Sequence, residues 1–180
     1  EITGLDAAVP VDPTTGTYGG IDRATWTFWR SVVSSGTDLT AANVQQAMNG
    51  VWSQLVRGKD MPDLIVMDNS AWEIYVASLQ SQQRFHQAEV GDLGFPTLKY
   101  QGADVCLDGG IGGNATSGTT YFLNCNYLHY RPHSKRNMIP LSPNRRYATN
   151  QDAEVQILAW AGNLTGSGMQ FQGRLIDSAP

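Results

Sequence analysis

Apolar positions in the first half of the chain follow a helical period. They recur at steps of three and four, at Val44, Ala47, Met48, Val51, Trp52, Leu55 and Val56. We therefore predict an amphipathic helix that starts near residue 39 with Thr40 as its N-cap. Gly58 follows the last apolar position and is the predicted stop signal.

A continuous apolar run comes next, at residues 62–68. Its length and lack of alternation are typical of a strand that is buried on both faces. Ser70 and Glu73 follow at the spacing of a capping box, which predicts a second helix that ends at about Gln83.

The second half of the chain has the patterns of strands and turns. Residues 98–107 and 120–130 are predicted strands, and the glycine-rich residues 109–114 between them are a predicted loop. Residues 153–160 and 168–176 partly alternate polar with apolar, so we predict a terminal hairpin. This order of elements indicates an α+β protein rather than an alternating α/β sheet.

Composition narrows the class of protein. The chain has 180 residues with a formal net charge of −4, and only 16% of its residues are charged. Because tight nucleic-acid binding needs many basic side chains, this balance excludes a dedicated duplex binder. No apolar run approaches the ~20 residues that cross a bilayer. Two cysteines are too few for a disulfide scaffold, which favours a reducing compartment.

The candidate chemical motifs lack the neighbouring residues or secondary structure that their chemistry requires. The glycine-rich loop precedes a strand, whereas a phosphate-binding loop precedes a helix. His129 and His133 have the spacing of helical zinc ligands, but Pro132 lies between them in a strand-like segment. Cys106 and Cys125 lie in apolar strands and lack the flanking residues of an activated nucleophile. We therefore predict no catalytic, cofactor-binding or metal-binding residues, and no enzyme activity.

Basic residues concentrate in one proline-rich part of the chain, at Arg131, His133, Lys135, Arg136, Arg145 and Arg146. Such a segment is either a solvated connector, a subunit contact or a weak phosphate contact. The sequence leaves these three interpretations open.

An ordered set of short motifs resembles the major capsid proteins of tailed bacteriophages and prophages. The resemblance spans about residues 16–173 and depends on the order of the motifs Gly-Thr-Tyr-Gly-Gly-Ile-Asp-Arg-Ala-Thr from Gly16, Pro-Asp-Leu-Ile-Val from Pro62, Gln-Ser-Gln-Gln-Arg-Phe from Gln80, Gly-Ala-Asp-Val from Gly102, Tyr-Phe-Leu-Asn from Tyr121, Gln-Asp-Ala from Gln151 and Trp-Ala-Gly-Asn-Leu from Trp160.

The resemblance implies the HK97-like capsid fold, with an axial lobe and a peripheral lobe. It places the axial lobe at residues 37–143, and the peripheral lobe combines a leading segment at 1–36 with the terminal hairpin at 144–180. The family's N-terminal arm and long spine helix have no counterpart in these residues. The resemblance therefore implies the C-terminal part of a capsid protein.

The implied function is structural. Family members self-assemble into pentamers and hexamers that enclose double-stranded DNA, and they do so in the bacterial cytoplasm before becoming the virion shell. The implied partners are copies of the chain, weakly contacted DNA, a scaffold and a maturation protease, with no membrane. On this basis we predict interface residues at Trp26, Trp29, Arg30, Arg84, Phe85, Arg136 and Arg145.

Two other classes stay open. A bacterial nanocompartment shell shares the implied fold and encloses an enzyme instead of a genome. A small α+β enzyme or ligand-binding domain would instead need a pocket in which Asp92, Asp104, Asp108 and a histidine converge.

Overall fold

The computed structural model describes residues 3–80, 98–108, 113, 115–141, 146–147 and 152–179. Its helices are α1 (Leu5–Ala8), α2 (Val44–Leu55) and α3 (Asn69–Gln80), with short 3₁₀ helices at Thr27–Trp29 and Met169–Phe171. The strands are β1 (Thr17–Tyr18), β2 (Ile21–Asp22), β3 (Val32–Thr37), β4 (Leu64–Met67), β5 (Leu98–Tyr100), β6 (Ala103–Leu107), β7 (Thr119–Leu123), β8 (Leu128–Pro132), β9 (Ile139–Pro140), β10 (Arg146–Tyr147), β11 (Glu154–Val155), β12 (Leu158–Ala159), β13 (Gly162–Gly166) and β14 (Gly173–Asp177).

A mixed six-stranded sheet organises the chain, in the order β3-β14-β7-β4-β6-β5. β14 is parallel to β3 and antiparallel to β7, while β4 is antiparallel to β7 and parallel to β6. Ile65 of β4 lies opposite Phe122 on one side and Val105 on the other. The fold is α+β, as predicted.

Each face of the sheet has its own apolar cluster. Ile65 and Met67 of β4 are buried with residues of α2 and α3, and Leu64 and Val66 pack into a second cluster on the opposite face. Because alternate strand residues point to opposite faces, β4 contributes to both clusters. The prediction of a strand covered on both faces is confirmed.

α2 is the predicted amphipathic helix, with a different start. Its buried residues are those of the apolar stripe, among them Val44, Met48 and Leu55. The helix begins at Val44 instead of near residue 39, so Thr40 is not its N-cap. The Thr40 amide donates to the Asn43 side-chain oxygen and the Thr40 carbonyl accepts from the Asn43 amide, which makes residues 40–43 a turn.

The cap of α3 also differs from the prediction. Asp68, not Ser70, accepts hydrogen bonds at the start of the helix, from the Ser70 amide at 3.2 Å and the Ser70 hydroxyl at 2.7 Å. Glu73 accepts from the Asn69 side chain, so the capping box is not formed. A carboxylate at the end of β4 suits this position because it also faces the helix dipole. The predicted end at Gln83 lies outside the described residues.

The predicted terminal hairpin is wrong. β13 pairs with β8, whereas β14 lies inside the six-stranded sheet between β3 and β7. Buried residues on both faces of β14 fit an interior strand, and the buried Met169 precedes it in a 3₁₀ helix. The residues around Gly162 and Gly166, interpreted as a turn, are β13 itself.

Two other predicted strands are interrupted. Residues 98–107 form a β5–β6 hairpin that turns at Gln101 and Gly102, both with positive φ. Residues 120–130 divide at Asn124, whose amide donates to the Gln172 side chain at 2.8 Å while Gln172 donates back to the Asn124 carbonyl at 3.1 Å. The chain therefore leaves the sheet after β7. Most of the predicted loop at 109–114 lies outside the described residues.

Two buried arginines hold the first described residues on the sheet. Arg174 forms an ion pair with Asp6 and donates to the Val9 carbonyl at 3.1 Å. Arg23 donates to the Ala7 and Ala8 carbonyls at 2.9 and 2.8 Å. α1 thereby covers the second cluster. In the part of the chain that is described, no helix has the length and apolar character needed to cross a membrane.

Candidate assembly surfaces

A two-stranded ribbon leaves the six-stranded sheet after β7, and we call it the arm (residues 128–141 and 152–166, with 146–147). β8 pairs with β13, β9 with β12 and β10 with β11, all antiparallel. Between the first two ladders, the Ala161 amide donates to the Arg136 carbonyl and the His133 amide donates to the Ala161 carbonyl, both at 2.7 Å. The two segments therefore run side by side along the arm.

Apart from its base, where Leu128 and Leu164 pack against the second apolar cluster, the arm is not covered by the rest of the described chain. Every residue of 129–140 and of 152–158 is exposed. Its large apolar side chains in water are Tyr130, Met138, Ile139, Val155, Ile157 and Leu158. Because a two-stranded ribbon alone is at best marginally stable, and a contiguous exposed apolar surface marks an interaction site, the arm is a candidate interface.

The arm is also cationic over β8, β9, β12 and β13, whereas its two carboxylates, Asp152 and Glu154, lie towards the β10–β11 ladder. Arg131, Lys135 and Arg136 lie on its outgoing segment, and no Asp or Glu occurs within residues 129–141 or 155–166. His129 lies in β8, and the Nδ1 atom of His133 accepts from the Lys135 amide. Of the described residues, no three His, Cys, Asp or Glu are grouped in a way that could hold a metal ion.

A second exposed apolar surface lies at the 3₁₀ helix Thr27–Trp29. Trp26 and Phe28 are each 53% exposed, and their ring centroids are 5.8 Å apart. The turn before them is held by Asp22, whose carboxylate accepts from the Thr25 hydroxyl at 2.7 Å and the Ala24 amide at 3.1 Å. The Thr25 hydrogen bond is the main cause that lowers the pKa of Asp22. This turn keeps a negative charge beside the two rings.

The predicted interface residues of this region have different environments. Trp26 is exposed, whereas Trp29 is buried and its indole N–H donates to the Tyr18 carbonyl at 3.0 Å. Arg30 donates to the Arg23 and Ala24 carbonyls at 2.8 and 3.0 Å, so it holds the turn together. Phe28 is exposed like Trp26 but was not among the predicted interface residues, although it lies only two positions from Trp26 in the sequence.

Of the other four predicted interface residues, one lies within the described part of the chain. Arg136 lies on the exposed arm. Arg84, Phe85 and Arg145 lie outside the described residues, so the structure does not place them. Their interface roles stay predictions.

Asp104 and Asp108, the described aspartates of the hypothetical enzyme pocket, have separate partners. Asp104 pairs with Lys99 at 2.7 Å, and Asp108 accepts from the Ala115 amide at 2.6 Å. Asp108 also lines a cavity of about 380 Å³ together with Asp6, which is engaged by Arg174. Asp92, the third aspartate of the hypothetical pocket, lies outside the described residues.

The two thiols are not activated. Burial, with Asp108 and Asp104 nearby, raises the pKa of Cys106. Although Cys125 is exposed, partial desolvation of its thiol and the neighbouring Asp63 carboxylate raise its pKa to about 11. A nucleophilic cysteine needs the opposite shift, because the thiolate is the reactive form.

The fold belongs to a known structural class. A chain of the solved capsid asymmetric unit of cyanophage A-1(L) matches 98% of this chain with a TM-score of 0.67, at 20% sequence identity. The chain spans 59% of the length of that capsid chain. No known protein family matches the sequence, and no curated protein matches it either. The prediction of a phage capsid fold is confirmed at this level.

Proposed function

We propose that the chain is the C-terminal part of a major capsid protein, and that it acts by tiling a shell. The observation that carries this proposal is the exposed arm on a capsid-like fold. A shell subunit buries its perimeter against copies of itself, so exposed apolar side chains on a projecting ribbon are expected. A content of 16% charged residues fits the same role, since strongly charged surfaces resist close packing.

The geometry also supports a revised division into lobes. The predicted boundary at residue 143 separates β8 from its partner β13, and β7 from its partner β14. We propose instead that the axial lobe contains the six-stranded sheet with α2 and α3, and that the arm belongs to the peripheral lobe. The leading residues up to about 30 then connect the two lobes.

Assembly into pentamers and hexamers around double-stranded DNA is part of the same proposal. With a net charge of −4 the chain is not suited to neutralise many phosphates, so the shell confines DNA by closure and weak contact. A scaffold and a maturation protease are proposed further partners, and assembly in the host cytoplasm precedes location in the virion capsid.

Electron microscopy of the purified full-length protein tests the proposal. We expect closed, uniform particles, and we expect Ile139→Glu with Leu158→Glu on the arm to reduce their number. The matched control is Gln46→Glu with Gln54→Glu on the exposed face of α2, which leaves assembly unchanged. Particles that hold an enzyme instead of DNA would indicate a nanocompartment, and a persistent monomer with enzymatic turnover would contradict the shell function.

A further inference from the structure

Large apolar side chains in water are concentrated in two places. Among the described residues, six of the eleven exposed large apolar side chains lie on the arm, and two more are Trp26 and Phe28. We call the second place the Trp26 patch (Asp12, Asp22, Trp26 and Phe28). Hydrogen bonds lower the pKa of both Asp12 and Asp22, and the charge of Arg30 adds a small contribution in the same direction.

We propose that the arm of one copy docks on the Trp26 patch of a neighbouring copy. This inference rests on the proposed function and names the two surfaces that form one contact of the shell. Because the surfaces differ, the contact is heterologous, and such contacts close into rings when the rotation between copies permits.

Charge decides between the possible pairings. An arm-to-arm contact through the β8–β13 and β9–β12 ladders brings together two sets of Arg131, Lys135 and Arg136, which repel one another. A contact between two Trp26 patches brings Asp12 and Asp22 of both copies together. The pairing of arm with patch places the arm's cations beside the carboxylates instead.

The aromatic rings add a second kind of complementarity. Trp26 and Phe28 are half exposed next to the Asp22 turn, and a guanidinium stacks favourably on an accessible aromatic ring. Met138, Ile139 and Leu158 supply apolar surface to the same contact. Both partners therefore combine an apolar centre with charges of opposite sign.

A charge exchange tests the pairing in the full-length protein. Phe28→Lys and Arg136→Glu change exposed side chains, so both variants keep the fold of the chain. Each single variant is expected to raise the protein concentration needed for particle formation by about tenfold, which corresponds to about 1.4 kcal/mol per contact. The double variant is expected to return to within about threefold of the unchanged protein, because the new Lys faces the new Glu.

The outcomes separate the inference from the proposed function. If the unchanged protein forms particles and the single variants match it, or if the double variant is as poor as the two singles combined, the pairing is overturned while the shell function stands. If the unchanged protein forms no particles, both are overturned. Gln54→Lys on α2 is the control for an added charge outside both surfaces and leaves assembly unchanged.

Cross-linking gives a second, independent readout. In a Cys125→Ser background, one preparation carries Trp26→Cys and another carries Met138→Cys, and a flexible bis-maleimide is added after co-assembly. We expect covalent dimers that contain one chain of each kind. Dimers within the Met138→Cys preparation alone would show an arm-to-arm contact, and the absence of mixed dimers from assembled particles would likewise overturn the pairing.

Discussion

The six-stranded sheet and the arm differ in how far their large apolar side chains are buried. In the sheet, Phe122 and Leu175 are fully buried between neighbouring strands and the helical layer. In the arm, Tyr130 and Leu158 are each 56% exposed. Both regions have backbone hydrogen bonds between strands, but only the sheet has an apolar core.

This difference implies that the residues that stabilise the fold and the residues that stabilise assembly lie in different parts of the chain. Burial of apolar surface is the dominant favourable term in both processes. The sheet gains this term within one chain, whereas the arm gains it only when something covers its surface. Substitutions in the two regions should therefore affect different measurements.

The largest expected effect comes from the core of the sheet. Phe122→Ala removes a buried ring from β7 and should reduce the free energy of unfolding by about 3–5 kcal/mol. Leu158→Ala on the arm should change it by less than about 0.5 kcal/mol, because the side chain is already in water. Urea unfolding of the dispersed protein measures both, and equal losses would contradict the comparison.

A smaller effect is expected where β14 lies against α2. A Cβ atom added at Gly173 would be 2.6 Å from Leu55 Cδ1 and 3.0 Å from Val51 Cγ1. Gly173→Ala should therefore destabilise the fold by about 1–3 kcal/mol. Gly50→Ala is the matched control, because nothing lies within 4 Å of the added atom. On the helix it should stabilise by about 0.5–1 kcal/mol, and a reversed order would argue against the tight packing of β14.

The ion pair of Asp6 tests how the leading residues are attached. Arg174 is 1% exposed and Asp6 is 73% exposed, so Asp6→Ala leaves a buried guanidinium without this carboxylate. We expect a loss of about 1–2 kcal/mol, reduced from a fully buried pair by the exposure of Asp6. Asp38→Ala, at another exposed carboxylate, should have almost no effect. Similar unfolding midpoints for the two variants would show that the pair does not hold α1.

The smallest effect near neutral pH is the pH dependence of stability that comes from Tyr75 in α3. Burial raises the pKa of Tyr75 to about 12, above the ordinary value of 10.0. The folded state therefore keeps the phenolic proton longer than the unfolded state. The stability due to this proton is complete below about pH 10 and is lost as the pH rises towards about 12. Tyr75→Phe should lessen the alkaline loss of stability, and an unchanged slope between about pH 9 and about pH 11 would contradict this account.

The elements with strong local patterns could be predicted from the sequence. The apolar stripe predicts α2 and the short apolar run predicts β4, because each pattern matches the burial of one kind of element. Both elements are present at these positions. Their ends were less predictable. Asp68 replaced Ser70 at the start of α3 because the carboxylate also accepts from the Gly118 amide at 3.0 Å, a contact 50 residues away in sequence.

The pairing of distant strands could not be predicted in this way. Residues 162–166 contain the glycines of a turn, yet they pair with β8, which lies 30 to 38 residues earlier in the sequence. Nothing local in the sequence specifies such a partner. The same limit applies to the candidate interface, because Trp26 and Trp29 have similar sequence surroundings and only the structure separates the exposed ring from the buried one.

Hydrogen exchange of the dispersed and the assembled protein tests the central claim most directly. Amides of the sheet, such as those of β4 and β7, should be protected in both states. Amides of the exposed part of the arm, at residues 129–140 and 152–158, should exchange rapidly in the dispersed protein and become protected on assembly. An arm that stays unprotected in closed particles, or that is already as protected as the sheet in the dispersed protein, would contradict the account.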